Sequence, residues 1–128
     1  MPVVLNSLQY NPLHASTNSP ERLDEIIHNT ANFDIVVLTG TGHKAPKYEP
    51  GPVTRHKFGE AIVLQAGHGT GKYTNKSAGI SFIIQGHHLT ERGLVDHGAI
   101  QGDAKGRAAY VRFKSKGNDL LFIGAYFP

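Results

Sequence analysis

Two kinds of residue in this sequence could do chemistry. The first lies in Ala66-Gly67-His68-Gly69-Thr70-Gly71-Lys72-Tyr73, where glycines free backbone N–H groups to converge on an anion and Lys72 can reach it. The stretch departs from a phosphate-binding loop twice. Ala66 stands where the first glycine belongs, and Tyr73 stands where a Ser or Thr would hold magnesium. No helical pattern follows in Thr74-Asn75-Lys76-Ser77-Ala78-Gly79, so a connection between strands is expected. The second kind is histidine, of which there are eight. His87-His88 is the only adjacent pair, and neighbours on a strand point to opposite faces and cannot chelate one ion together. With no His-x-His or His-x-x-x-His spacing anywhere, the histidines predict scattered positions and no metal site.

Basic residues offer a different chemistry. Lys72, Lys76, Arg107, Arg112, Lys114 and Lys116 gather in the second half, interleaved with Tyr73, Tyr110 and Phe113. Cations and aromatics lining one groove can follow a nucleic-acid backbone, and Lys72 and Lys76 are the candidate contacts. Arg112, Lys114 and Lys116 also alternate with Val111, Phe113 and Ser115, and that alternation is explained by the solvated face of one strand.

The elements that would position these residues follow from periodicity. Val3 to Tyr10 is short, β-branched at its start and followed by Asn11-Pro12, the pattern of a strand ending in a loop. A helix follows: Ser19 can cap it with Pro20 in its first turn, and Leu23, Ile26, Ile27 and Thr30 recur on one face. Phe33 to Leu38 is a continuous apolar run bounded by Thr39-Gly40-Thr41-Gly42, as in a strand buried on both faces. This makes a βαβ unit. Pro46, Pro50, Gly51 and Pro52 mark an irregular stretch. Further strands are expected at Ala61 to Ala66, Gly79 to Gln85, Ala108 to Lys114 and Leu120 to Tyr126, with a hairpin turn at Lys116-Gly117-Asn118-Asp119. The sum is an α/β chain with a mixed sheet, in one domain over residues 1–128.

Composition narrows the function classes. Thirteen Lys and Arg against ten Asp and Glu give a formal charge of +3, compatible with a polyanionic partner. The absence of cysteine excludes disulfides and thiolate zinc sites. No apolar run approaches the roughly 20 residues that span a bilayer, and no charged segment with an apolar stretch behind it opens the chain. No membrane association is expected, and the setting is expected to be intracellular, a nuclear one included.

Leu5-Asn6-Ser7-Leu8, Phe33-Asp34-Ile35-Val36-Val37-Leu38-Thr39-Gly40-Thr41, Ser77-Ala78-Gly79-Ile80, Gly106-Arg107 and Gly124-Ala125-Tyr126-Phe127-Pro128 occur in this order. Together they resemble the first half of the endonuclease/exonuclease/phosphatase superfamily, and in particular the endonuclease domains of non-long-terminal-repeat retroelements. Gly71 to Gly79 is similar to copies abundant in dinoflagellate genomes. The resemblance implies part of a four-layer α/β sandwich and a metal-dependent phosphodiesterase or endonuclease acting on nucleic acid, with Mg2+ as the family's cofactor. It implies Asn6 as the first-strand Asn near the metal and phosphate, and Tyr126 as a donor to a phosphoryl oxygen. A tyrosine ending a buried strand is also often a core residue with its hydroxyl at the rim. Arg107 takes a structural role in a turn.

Two departures temper the implied activity. The family's Leu-Gln-Glu-Thr motif corresponds to Leu38-Thr39-Gly40-Thr41, which replaces the metal-binding carboxylate by Gly40, and the acidic position two after Asn6 is Leu8. Magnesium sites usually include one or two carboxylates, so this chain is expected to bind none. In the family the central Asp-x-Asn pair and the C-terminal Asp-His pair lie beyond the half that this chain resembles, so an incomplete domain without catalysis of its own is expected. The alternative is a non-catalytic, basic nucleic-acid-binding module.

Overall fold

In the first strand Leu8 and Tyr10 face one way and Ser7 and Gln9 the other, a period of two that suits a sheet with two different sides. The computed structural model describes residues 5–11, 20–41, 53–66, 79–85, 88–99, 107–115 and 117–125. Strand β1 is Ser7–Tyr10, helix α1 is Pro20–Asn29 and strand β2 is Ile35–Thr39. β1 and β2 run parallel, with Ser7 opposite Ile35 and Tyr10 opposite Leu38, so the expected βαβ unit is present. Ser19, the expected cap, lies outside the described residues.

Helix α1 carries its apolar stripe as the spacing predicts: Leu23, Ile26 and Thr30 are buried and Ile27 is half-buried. β2 is buried along its whole length, because α1 covers one face and a second sheet covers the other. Four of the remaining strands fall close to their expected places. They are β4 at Ala61–Ala66, β5 at Ile80–Ile84, β7 at Ala108–Ser115 and β8 at Asn118–Ala125. Two were not legible from the pattern, β3 at Val53–Phe58 and β6 at Leu94–Ala99. Arg55, His56 and Lys57 interrupt the apolar pattern of β3, which is tolerable because β3 is an edge strand with solvent beside it. β6 is also an edge, and its register slips by a bulge between Leu94 and Asp96.

The strands form two sheets, in the orders β1-β2-β5-β4-β3 and β6-β7-β8. Only β1–β2 is parallel among the described pairs. Between the sheets lies a core built on Phe82, Phe113, Leu64, Ile35 and Val111, none of them exposed. A second core of Val36, Leu38, Val63 and Ile83 packs on Leu23 and Ile26 of α1. The described residues thus stack helix on sheet on sheet.

Two glycines set how the smaller sheet sits. The β7–β8 ladder closes at Ser115–Asn118, and Gly117 takes the hairpin with φ of 81°, a value costly for a residue with a Cβ. Gly124 is needed for space: a Cβ there would stand 2.7 Å from Val37 Cγ1 and 2.8 Å from Ile80 Cγ2. β8 therefore lies directly on β2 and β5. On β7, Val111 and Phe113 point inward while Arg112 and Lys114 point outward, the alternation expected of a solvated strand face.

Candidate functional site

Open sheets with parallel strands bind ligands at the strands' carboxyl ends, and the described residues include one parallel pair. The register that sets Tyr10 beside Leu38 brings the next residue, Asn11, beside Thr39-Gly40-Thr41. Gly40 turns the chain with φ of 66°, and the Thr41 N–H donates to the Gly79 carbonyl at 3.2 Å. Thr39 and Thr41 are buried while Asn11 is exposed.

Across the same end of the sheet, on the face that carries α1, runs a row of paired residues: Tyr10, Leu38, Ser81 and Gln65. Two polar side chains are thus embedded in apolar strands. Gln65 is 3% exposed and Ser81 is fully buried, and the Ser81 hydroxyl has no hydrogen-bond partner. Leaving a buried hydroxyl unpaired costs about 1–3 kcal/mol, so it marks a place where folding did not optimise stability. Burial pushes the Tyr10 phenol above its ordinary value, while the Arg22 guanidinium in the first turn of α1 works in the opposite direction. At the inner side, the Gln9 amide donates to the Ala125 carbonyl at 3.5 Å, which ties the end of β8 to the end of β1.

The opposite end is different. Asn6 stands there, exposed, at the start of β1. Its N–H donates to Asp34 Oδ2 at 2.9 Å, and its carbonyl accepts from the Asp34 N–H at 2.8 Å. The length of β1, about 3.3 Å per residue, separates Asn6 from Gly40. One site cannot use both. Asn11, which the sequence reading passed over, is the asparagine beside Leu38-Thr39-Gly40-Thr41. Tyr126, Lys72 and Lys76 lie outside the described residues; Ala125, which precedes Tyr126, is at the carboxyl end of β1.

Several other candidates are spread apart. His28, His56, His88 and His97 sit on α1, β3, a loop and β6, and no group of three His, Cys, Asp or Glu assembles among the described residues. His87 lies outside them. The described cations are largely paired with acids: Arg112 with Asp119 at 2.8 and 2.5 Å, and Arg55 and Lys57 with Glu91. An open depression of about 470 Å³ at the β7–β8 hairpin is lined by Lys114, Ser115, Gly117, Asn118 and Asp119. It is far along β8 from Ala125 and holds no part of the polar row.

The carboxyl end of β1 and β2 therefore offers neutral amide and hydroxyl groups. Neither Ser7–Asn11 nor Leu38–Thr41 contains a carboxylate. Of these side chains Asn11 is exposed and Thr39, Thr41, Gln65 and Ser81 are buried, so Asn11 is the one placed to hydrogen-bond a phosphate or another polar oxygen from solvent. The set fits magnesium poorly, since that ion is usually held through carboxylates, and it contains no group to take a proton from water. Gln65 and Ser81 could have been noticed earlier as single polar residues inside otherwise apolar runs. No helix among the described residues is long and apolar enough to cross a membrane. No protein-family model matches the chain, and no curated protein matches it.

Proposed function

We propose that this chain is the first part of an endonuclease/exonuclease/phosphatase-like protein acting on nucleic acid, and that it binds the phosphate backbone without cleaving it. One observation carries the reading. The residues of the resemblance's Leu38-Thr39-Gly40-Thr41 and Gly124-Ala125 segments converge on the carboxyl end of the parallel pair, where hydrogen-bonding side chains gather. In this reading Asn11 takes the place of the family's first-strand asparagine, because it lies beside Leu38 to Thr41 and Asn6 does not. The outer face of β6-β7-β8, where Val95, Leu121 and Ile123 are exposed, is where the fourth layer of such a sandwich would pack.

No carboxylate lies at the carboxyl end of either parallel strand, so no step is assigned to a metal. That same feature favours the second reading, a basic module that binds nucleic acid by charge alone. The two differ in what they ask of Asn11. Binding of a fluorescent DNA duplex and a single strand, followed by anisotropy at rising salt, is expected to show affinity that falls with salt and no cleavage in magnesium. Asn11→Ala is expected to weaken binding about 5-fold or more, as for loss of one hydrogen bond to a charged group, while Asn6→Ala leaves it unchanged. Equal affinity of the two variants would favour the charge-only module. No binding at low salt would remove nucleic acid from both readings.

A further inference from the structure

Arg22 with Glu25 and Arg112 with Asp119 each match one cation to one acid. The cluster between β3 and the start of β6 does not. Arg55 and Lys57 are two residues apart on β3, so both leave the strand on the same face, the one that Leu64 and Ile62 beside them turn toward the smaller sheet. Both reach Glu91, which opens the short turn Glu91–Gly93 ahead of β6. Arg55 Nη2 pairs with Oε1, and Lys57 Nζ lies 3.9 Å from Oε2, so each carboxylate oxygen takes one cation. Arg92 follows directly, exposed and in no ion pair among the described residues. Arg55, Lys57 and Glu91 are 42%, 68% and 54% exposed, and ion pairs so open to solvent exchange readily.

The geometry points to an anion site at Arg55, Lys57 and Arg92 in which the Glu91 carboxylate holds the place of a phosphate monoester. A carboxylate brings a single charge and a pair of oxygens, which Arg55 and Lys57 already take up. A phosphate monoester brings close to two negative charges and three terminal oxygens, so it can serve these cations and Arg92 together. An internal phosphodiester of a nucleic-acid backbone has only the charge and free oxygens of a carboxylate and gains nothing over Glu91. The ligand is therefore a terminal phosphate, free or at the end of a strand. It enters as the Glu91 side chain swings out to solvent, and no covalent bond is made or broken. β3 is the edge of its sheet farthest from β1, so the site is separate from Asn11 and does not rest on the phosphate-backbone reading.

Amide NMR shifts of the isotope-labelled 128-residue chain test it, in titrations with inorganic phosphate and with a short single strand ending in either a phosphate or a hydroxyl. Inorganic phosphate and the phosphorylated strand are expected to move the amides of Arg55 to Lys57 and of Glu91 and Arg92, and the hydroxyl-ended strand is expected to leave them in place. A phosphorylated strand that binds more tightly than inorganic phosphate assigns the site to strand ends, and one that binds no more tightly assigns it to free phosphate. Glu91→Gln is expected to tighten phosphate binding about 3-fold or more by removing the competing carboxylate. Glu60→Gln, an equal change of charge in the turn after β3, is expected to leave it unchanged. Arg55→Gln is expected to weaken binding about 5-fold or more with strand content by circular dichroism unchanged, and Lys114→Gln on β7 is expected to have no effect. The inference is overturned if Glu91→Gln binds phosphate no better than the native chain, or if both strands move the same amides equally.

Discussion

The two ends of the five-stranded sheet treat buried polar groups in opposite ways. At the amino end of β1 and β2, every group in a compact set is bonded. Asp34 joins the backbone of Asn6 and accepts from the Gln85 N–H at 2.9 Å. The Gln85 amide donates to the Thr30 carbonyl at 2.8 Å, and the Thr30 hydroxyl donates to the Ile26 carbonyl at 2.7 Å, finishing the end of α1. At the carboxyl end, Ser81 is equally buried and its hydroxyl is bonded to nothing. A satisfied polar network in a core fixes how elements meet, whereas an unsatisfied group costs stability without doing so. The first end is where the fold is closed, and the second is where a buried hydroxyl is left unpaired.

The largest expected effect tests the closed end. Asp34→Ala leaves the Asn6 N–H at the start of β1 without its carboxylate acceptor and is expected to lower stability by about 2 kcal/mol, read from the midpoint of urea unfolding. Gln85→Ala removes one of the two donors to the Thr30 carbonyl, the Phe33 N–H remaining at 3.0 Å, and is expected to cost about 1 kcal/mol in the same measurement. Ser81→Ala is expected to do the reverse, leaving stability unchanged or raising it by up to about 1 kcal/mol, because it removes a group that is already unpaired. If Ser81→Ala costs as much as Gln85→Ala, the contrast between the ends is lost. Because the ends share no partners, Asp34→Ala and Ser81→Ala are expected to add within about 0.5 kcal/mol in the double variant.

The smallest effect lies away from both ends, in the exposed Arg112–Asp119 pair. Hydrogen bonding from Arg112 holds the Asp119 carboxyl below its ordinary value; slight burial opposes this, and the charges of Arg112 and Lys114 add to it. A depressed carboxylate stabilises the fold above the ordinary carboxylate value, and that contribution is lost as pH falls through the folded-state value. Asp119→Asn is therefore expected to lower the unfolding midpoint slightly at pH 7 and to leave it unchanged under strongly acid conditions. A gap that widens in acid would contradict the pairing.

How much of this was legible in the sequence depends on what each element touches. α1 and β2 were readable because Leu23, Ile26 and Thr30, and then Ile35 to Leu38, meet apolar neighbours that impose their own period. β3 and β6 were not readable, because an edge strand needs only one partner and can carry Arg55, Lys57 or Asp96 freely. The split into two sheets was hidden as well, since it resides in which strands pair, and local pattern does not encode that. At the candidate site, Asn6 and Asn11 flank the same four-residue strand, and which of them lies beside Leu38 to Thr41 depends on the parallel pairing with β2, which local pattern does not encode.

The close seat of β8 on β2 and β5 has a consequence for how this sequence can drift. Gly117 and Gly124 are the same residue for unrelated reasons, one for its backbone angle with open space around it and the other for its lack of volume. In a library of substitutions selected for folding, position 117 would accept Asn or Asp, which tolerate positive φ. Position 124 would reject even alanine, and would recover it only alongside a trimmed neighbour at Val37 or Ile80. Homologous sequences would then show position 124 varying together with those two positions and independently of every other glycine.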